Sequence, residues 1–396
     1  MSRGRVLVAM SGGVDSSVAA WLLLRQGYEC VGATMRLAAN EDDRPGERTC
    51  CSVDDVADAR EACWRLGIRH HVFDYTRQFE RDVIDPFVAA YEAGDTPNPC
   101  VRCNRFLKFG ALLDRALELG CDWLATGHYA RVERGGSGAL RLLKGVDAAK
   151  DQSYFLYGLT QERLAHVLFP LGGLVKATQV RGLAEEAGLA VAHKRDSEGI
   201  CFVPGGDHLR FIEERTGRTA PDGDIVGPGG RVLGRHHGAL RYTLGQRKGL
   251  GVASDRPLYV CDIDVRANTV TLGDNADLMS RELVADDWKW VAGEAPAAGG
   301  DGAAVDGPAA PEGDATAGVA AGPDDARRDG APDDGIAAAA KVRYHQPDQP
   351  CRIYPQADGT VRIVFDDPQR AVTPGQAVVA YRGDELLGGG TIRSAR

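Results

Sequence analysis

Short apolar runs alternate with longer stretches of helical period through the first half of the chain. Arg5–Met10 (RVLVAM) reads as a buried strand and Ser16–Gln26 as a helix with an apolar stripe. Glu29–Leu37 predicts a second strand, Val53–Leu66 a helix and His70–Tyr75 a third strand. Helices are predicted over Phe79–Tyr91 and Phe106–Leu119, and a further strand over Asp122–Thr126. Strands alternating with helices of this length imply a doubly wound parallel sheet with helices on both faces. Such sheets take ligands beyond the strand C-terminal ends, where strand order reverses. The residues at those ends are Met10–Ser11, Met35 and Thr126–Gly127–His128.

The texture changes after about Pro204, where glycine, proline and short alternating runs predict small antiparallel β-structure. Gly293–Ala340 is almost entirely Gly, Ala, Pro and Asp without an aromatic residue, so it reads as a disordered insertion. Strand patterns at Leu283–Val291, Ala340–Tyr344, Cys351–Tyr354, Val361–Phe365 and Ala377–Tyr381 suggest one β-barrel interrupted by that insertion. The expected organisation is therefore an α/β catalytic domain over residues 1–204, a small β-rich domain over 205–280, and a β-barrel over 281–396.

Composition sharpens this picture at two points. The chain of 396 residues is 43% hydrophobic, and its longest apolar run, Val18–Leu24, is far short of a membrane span. Without a secretory pattern at the start, the expectation is a cytoplasmic protein with no membrane partner, whose ten cysteines stay reduced. The net charge of −9 argues against a nucleic-acid partner only on its face. Residues 293–340 hold ten acidic side chains against Arg327 and Arg328, which leaves the rest of the chain near neutral.

Candidate chemistry concentrates in a loop and three cysteines. Ser11–Gly12–Gly13–Val14–Asp15–Ser16–Ser17 follows a predicted strand and opens a helix. Two glycines let the backbone approach an anion, and the helix N-terminus with the serine hydroxyls supplies donors. The missing Gly-Lys-Ser/Thr excludes the common P-loop. Cys100 and Cys103 form a C-x-x-C in TPNPCVRCN, where the prolines are expected to hold an extended loop, and Arg105 and Lys108 follow. Cys201 lies in the basic segment KRDSEGICF. Positive surroundings favour the reactive thiolate. Cys30, Cys63, Cys121, Cys261 and Cys351 sit singly in apolar patterns and read as core residues, while Cys50–Cys51 receive no role.

SGGVDSS after an apolar strand resembles the pyrophosphatase loop of ATP-dependent enzymes that form adenylylated intermediates. With TPNPCVRCN, ATGHYAR, KDQSYFLY, KRDSEGICF, YTLGQRKGLG and TPGQ in the same order, the chain resembles the tRNA-specific 2-thiouridylases over nearly its whole length. The resemblance implies ATP, with Mg2+, bound by Ala9, Met10, the Ser11–Ser17 loop, Met35 and Gly127. It implies 2-thiolation of the wobble uridine (position 34) of tRNA through an adenylylated uridine, with release of AMP and pyrophosphate. By the same resemblance Cys201 carries a persulfide and Cys103 is the thiol that attacks it. The sulfur comes from a donor protein or from free sulfide. Asn98, Pro99 and Cys100 would border the flipped-out uridine, with tRNA contacts at His128, Lys150, Asp151, Gln152, Arg343, Tyr344 and Gln376.

One position departs from the family pattern. Many members carry an aspartate acid/base where this chain has Cys100. The resemblance thus leaves a second sulfur route open, a [4Fe–4S] cluster on Cys100, Cys103 and Cys201. Two other functions compete: another adenylylating ligase built on the same loop, and a non-catalytic, metal-containing RNA-binding protein.

Overall fold

A computed structural model describes residues 2–38, 53–136, 138–194, 199–296 and 335–396. Cys50–Cys51, most of the acidic insertion, and Arg195–Glu198 of the Cys201 segment lie outside the described residues.

The N-terminal strands are β1 (Arg5–Ala9), β2 (Glu29–Arg36), β3 (Arg69–Asp74) and β4 (Trp123–Ala125). They are followed by a hairpin, β5 (Ala130–Arg134) and β6 (Leu140–Lys144), and by the short β7 (Val167–Leu168). Five strands make one parallel sheet in the order β3-β2-β1-β4-β7. Its inner strands are apolar on both faces, as a sheet covered twice requires. Leu7, Val31 and Leu124 pack into one core, and Val6, Val8 and Ala125 into the other. Strand order reverses between β1 and β4, which places the ligand crevice beyond Ala9 and Ala125. Helix α1 (Val14–Arg25) leaves β1 there, and α2 (Val53–Arg65) connects β2 to β3.

The helix carrying the C-x-x-C begins earlier than its sequence pattern suggests. Asn98 is extended, but Pro99 already occupies the first helical position, so Cys100 and Cys103 are helical rather than on an extended loop. A proline there loses no hydrogen bond and has its φ set in advance. From Cys103 to Leu112 the hydrogen bonding widens to the i→i+5 pattern of a π-helix, a departure that frequently marks functional sites.

Strands β8 (Asp222–Val226), β9 (Val232–His237), β10 (Tyr259–Asp264) and β11 (Thr269–Gly273) form the small second sheet, ordered β10-β11-β8-β9. The expectation of a purely antiparallel sheet is corrected here, because β11 runs parallel to β8. The C-terminal strands are β12 (Met279–Trp290), β13 (Ile336–Lys341), β14 (Gln349–Pro355), β15 (Val361–Arg370), β16 (Ala377–Arg382) and β17 (Glu385–Ala395). They close into a six-stranded barrel, because β12 pairs with both β15 and β17. Strand β13 starts inside the segment read as insertion. Its alanines pair with β14 and β16, where small side chains fit between neighbouring strands. The β5–β6 hairpin joins the outside of the barrel through Leu143 and Glu385 of β17.

Candidate active site

Below the crevice the phosphate loop is held by its own hydroxyls. Ser16 Oγ accepts from the Ser11 backbone N–H at 3.2 Å, and Ser16 and Ser17 both donate to the Gly13 carbonyl, at 3.1 and 3.0 Å. Gly13, the N-cap of α1, has no side chain to accept from the first-turn N–H groups. Gly12 has φ +70°, and a Cβ there would fall on the Asp55 carbonyl, so only glycine lets the loop pass α2. Val14 and Ser17 are buried beneath the loop.

Two buried or half-buried lysines that the sequence did not single out brace this loop. Lys176 Nζ donates to Asp15 Oδ2 at 2.6 Å while the Tyr129 hydroxyl donates to Asp15 Oδ1 at 2.8 Å. Lys194 donates to the Gly12 carbonyl at 3.0 Å and pairs with Asp55 and Asp58. Lys194 at least opens the KRDSEGICF segment. Lys176 carries no local signal, because its partner is 161 positions away.

A cavity of about 610 Å³ opens from the loop. This is an ordinary size for a small-molecule site. Ser11, Asp15 and Ser16 of the loop line it, together with the apolar Ala9, Met10, Ala33, Met35 and Leu37. Gly127 also faces the cavity, against the backbone of Asp15 and Ser16. Pro99, Cys100, Cys103, Lys108, His128, Gln152 and Cys201 also line it. Cys201 is fixed by its neighbour: the Phe202 ring packs edge-on to Phe79 and Phe87 at 5.5 and 5.1 Å. The phosphate loop and all three candidate thiols therefore share one chamber.

His128 sits on that wall with Nδ1 2.7 Å from Thr126 Oγ1. Burial, helped by the nearby Lys108 charge, holds its pKa well below the usual histidine value, so it is neutral at pH 7. Cys30, Cys63, Cys121 and Cys351 are buried as expected of core residues, whereas Cys261 is only half-buried. Burial pushes the Cys30 and Cys63 thiols up to about 12, and raises Cys121, Cys261 and Cys351 as well.

Not every expected RNA contact is presented to an incoming strand. Asp151 is buried, accepting from the Gly145 and Ser153 N–H groups and the Ser153 hydroxyl. Its carboxylate shapes the Lys150–Gln152 turn rather than facing outward. The Gln152 side chain accepts from the Tyr129 N–H while lining the cavity. Arg343 donates to the Ala371 carbonyl and Thr373 Oγ1, and Tyr344 packs against Phe155 at 4.5 Å. Gln376 donates to the Thr96 carbonyl at 2.7 Å. Asn98 and Lys150 are half-buried and lie outside the cavity lining.

Among the described residues no three His, Cys, Asp or Glu side chains are arranged to hold a metal ion. Cys100, Cys103 and Cys201 share a cavity without forming such a set. Asp15, the one carboxylate among the described lining residues, has both oxygens engaged. No helix among the described residues is long and apolar enough to cross a membrane.

Comparisons with known proteins match three family models to this chain. Residues 4–205 match the tRNA methyl transferase HUP domain, 210–274 the tRNA methyl transferase PRC-barrel domain, and 328–392 the aminomethyltransferase beta-barrel domain. The chain is 46% identical over 399 residues to the tRNA-specific 2-thiouridylase MnmA of Geotalea uraniireducens (strain Rf4), covering 99% of this chain and 96% of the relative. It is 45% identical over 398 residues to that of Geobacter metallireducens (strain ATCC 53774 / DSM 7210 / GS-15), covering 100% and 98%. With the phosphate loop and the thiols in one chamber and this identity end to end, the chain belongs to the tRNA-specific 2-thiouridylase family.

Proposed function

We propose that this enzyme replaces O2 of the wobble uridine of tRNA by sulfur at the expense of ATP, in the cytoplasm where both substrates are found. The observation that carries this reading is the single chamber lined both by Ser11, Asp15 and Ser16 of the phosphate loop and by Cys103 and Cys201. A methyl transfer, which the domain descriptions name, would leave both the anion cradle and the thiols without work.

ATP lies with its adenosine against Met35, Gly127 and the Ala9–Met10 strand end, and its β- and γ-phosphates on Ser11–Ser17. The uridine is flipped into the chamber beside Asn98, Pro99 and Cys100, with Lys150 toward the tRNA backbone. The uracil O2 attacks the α-phosphorus, and pyrophosphate leaves onto the loop. Sulfur then attacks C2, and AMP departs with the former O2. The sulfur reaches Cys201 from a donor protein as a persulfide. The Cys103 thiolate attacks the Cys201 Sγ, releasing hydrosulfide and leaving a Cys103–Cys201 disulfide. An external dithiol returns both cysteines to the reduced state. Neutral His128 is the polar group that meets the base edge. Mg2+ accompanies the phosphates as part of the nucleotide, since Asp15 is engaged elsewhere.

The test is ATP-dependent thiolation of unmodified tRNA by anaerobically purified protein supplied with a persulfide-bearing donor protein and a dithiol, before and after iron chelation. Activity that survives chelation and falls in Cys103→Ser supports the thiol route. Activity that vanishes with iron and returns on reconstitution assigns Cys100, Cys103 and Cys201 to a cluster and overturns it. AMP release that needs no tRNA returns the chain to the ligase reading.

A further inference from the structure

The C-terminal barrel reaches back across the molecule to one residue of the catalytic loop. Thr96 donates its backbone N–H to the Pro374 carbonyl at 3.0 Å and accepts from the Gln376 amide at 2.7 Å. Both backbone hydrogen-bonding groups of Thr96 are thus taken by the segment Thr373–Gln376. Gly375 between these two contacts has φ +84°, and a Cβ there would stand 2.8 Å from Asp95 Cβ and from the Thr96 nitrogen. The segment is closed down on the loop as far as backbone allows.

Two prolines carry that grip onward along the chain. Pro97 and Pro99 have fixed φ, and each restricts the residue before it. Between Thr96 and the first helical residue, Pro99, no position retains ordinary freedom, because Asn98 itself precedes a proline. The helix that starts there carries Cys100 on its first turn and Cys103 at the entry to its π-helical stretch. A displacement at Thr96 is therefore passed to both thiols.

The gripping segment is itself held from the barrel. Gly375 N–H donates to the Ile392 carbonyl, and Ile392 N–H donates to the Gln376 carbonyl. The Arg343 guanidinium spans Ala371 and Thr373, at 2.8 and 3.2 Å, and supports Ala371 in its left-handed backbone conformation. We infer that Gln376 and Gly375, backed by Arg343, are positioning residues that set Cys103 and Cys100 in the chamber through Thr96. The barrel is then a working part of the catalytic site.

The inference rests on the proposed thiolation for its kinetic readout only. The experiment uses the full chain and compares Gln376→Ala and Gly375→Ala with the parent. Backbone hydrogen exchange over residues 96–103 is followed without any substrate, and tRNA affinity and single-turnover thiolation at saturating tRNA are measured alongside. The expected result is faster exchange at Thr96 and Cys100, tRNA affinity within about twofold, and a single-turnover rate lower by about tenfold, as for a misplaced reactive group. Unchanged exchange in both variants overturns the proposal. So does a loss of tRNA affinity with an unchanged rate at saturation, which would make Gln376 an RNA contact. If Gly375→Ala does not fold, Gln376→Ala decides alone. A parent enzyme inactive on tRNA would sink the proposed function, while the exchange data would still judge the grip.

Discussion

Lys176→Met isolates the charge pair behind the phosphate loop. Lys176 is 5% exposed, and the Asp15 side chain it pairs with keeps 29% of its surface. Methionine preserves length and packing but leaves the carboxylate with the Tyr129 hydroxyl as its remaining hydrogen-bond donor. Breaking a fully buried pair costs about 3–5 kcal/mol. Water reaches part of Asp15, so we expect about 2–3 kcal/mol. For a domain of this size that lowers the melting temperature by about 4–12 °C. The uncompensated carboxylate also faces the incoming phosphates. Two unit charges about 6 Å apart near a protein surface repel by roughly 3 kcal/mol, enough to weaken ATP binding by about a hundredfold before salt screening. Asp15→Asn in the same chain removes the repulsion, so the double variant should regain most of the ATP affinity that Lys176→Met loses. Calorimetric melting and nucleotide titration of the four proteins measure the coupling. If the double variant loses the sum of the two single losses in both measurements, the pair is not what braces the loop.

Four further outcomes are expected. Phe202→Ala removes the ring that seats Cys201 and should cost about 2–3 kcal/mol, less than a fully buried phenylalanine; sulfur transfer should fall while ATP affinity holds, as read by thiolation and nucleotide titration. Gly12→Ala places a Cβ on the Asp55 carbonyl, so pyrophosphate release should be lost in a chain that still shows native circular dichroism. Because His128 is held neutral, the stability it contributes is present above the ordinary histidine pKa and is lost as pH falls below about 6.5. Denaturant titrations from pH 7 to 5 should show this loss reduced in His128→Gln. The thiols of Cys30 and Cys63, raised to about 12, contribute stability that is complete below their unfolded pKa of about 8.5 and is lost as pH climbs toward 12. Both should escape iodoacetamide at pH 8 in a mass-spectrometric map.

The sheet and the anion loop were legible because each depends on residues close together in the chain. Apolar runs of strand length, two glycines and a serine-rich helix start identify β1, the loop and α1 without reference to anything distant. The rest depends on pairings that sequence period cannot express. Strand β13 is a run of alanines whose propensity is poor, and it is made a strand by partners on both sides. Strand β17 contains Gly388–Gly390, which reads as a turn, yet those glycines let Trp288 and Tyr157 pack against the backbone. The helix start at Pro99 was hidden because the same proline is a loop signal in one context and a first-turn residue in another. Lys176, Lys194 and the Gln376–Thr96 bond each join elements more than 130 positions apart. Only the fold brings such groups together.

The bond from Gln376 to Thr96 spans 280 residues, so the order of synthesis matters to it. Chains grow at about 5–20 residues per second, and N-terminal domains fold first. The phosphate loop and the C-x-x-C are thus complete roughly 15–60 s before the segment that grips them exists. Throughout that interval Thr96 lacks the two hydrogen bonds that the barrel supplies. On the positioning role proposed above, a product cut short before Thr373 would keep the phosphate loop but lack the two hydrogen bonds that hold Thr96.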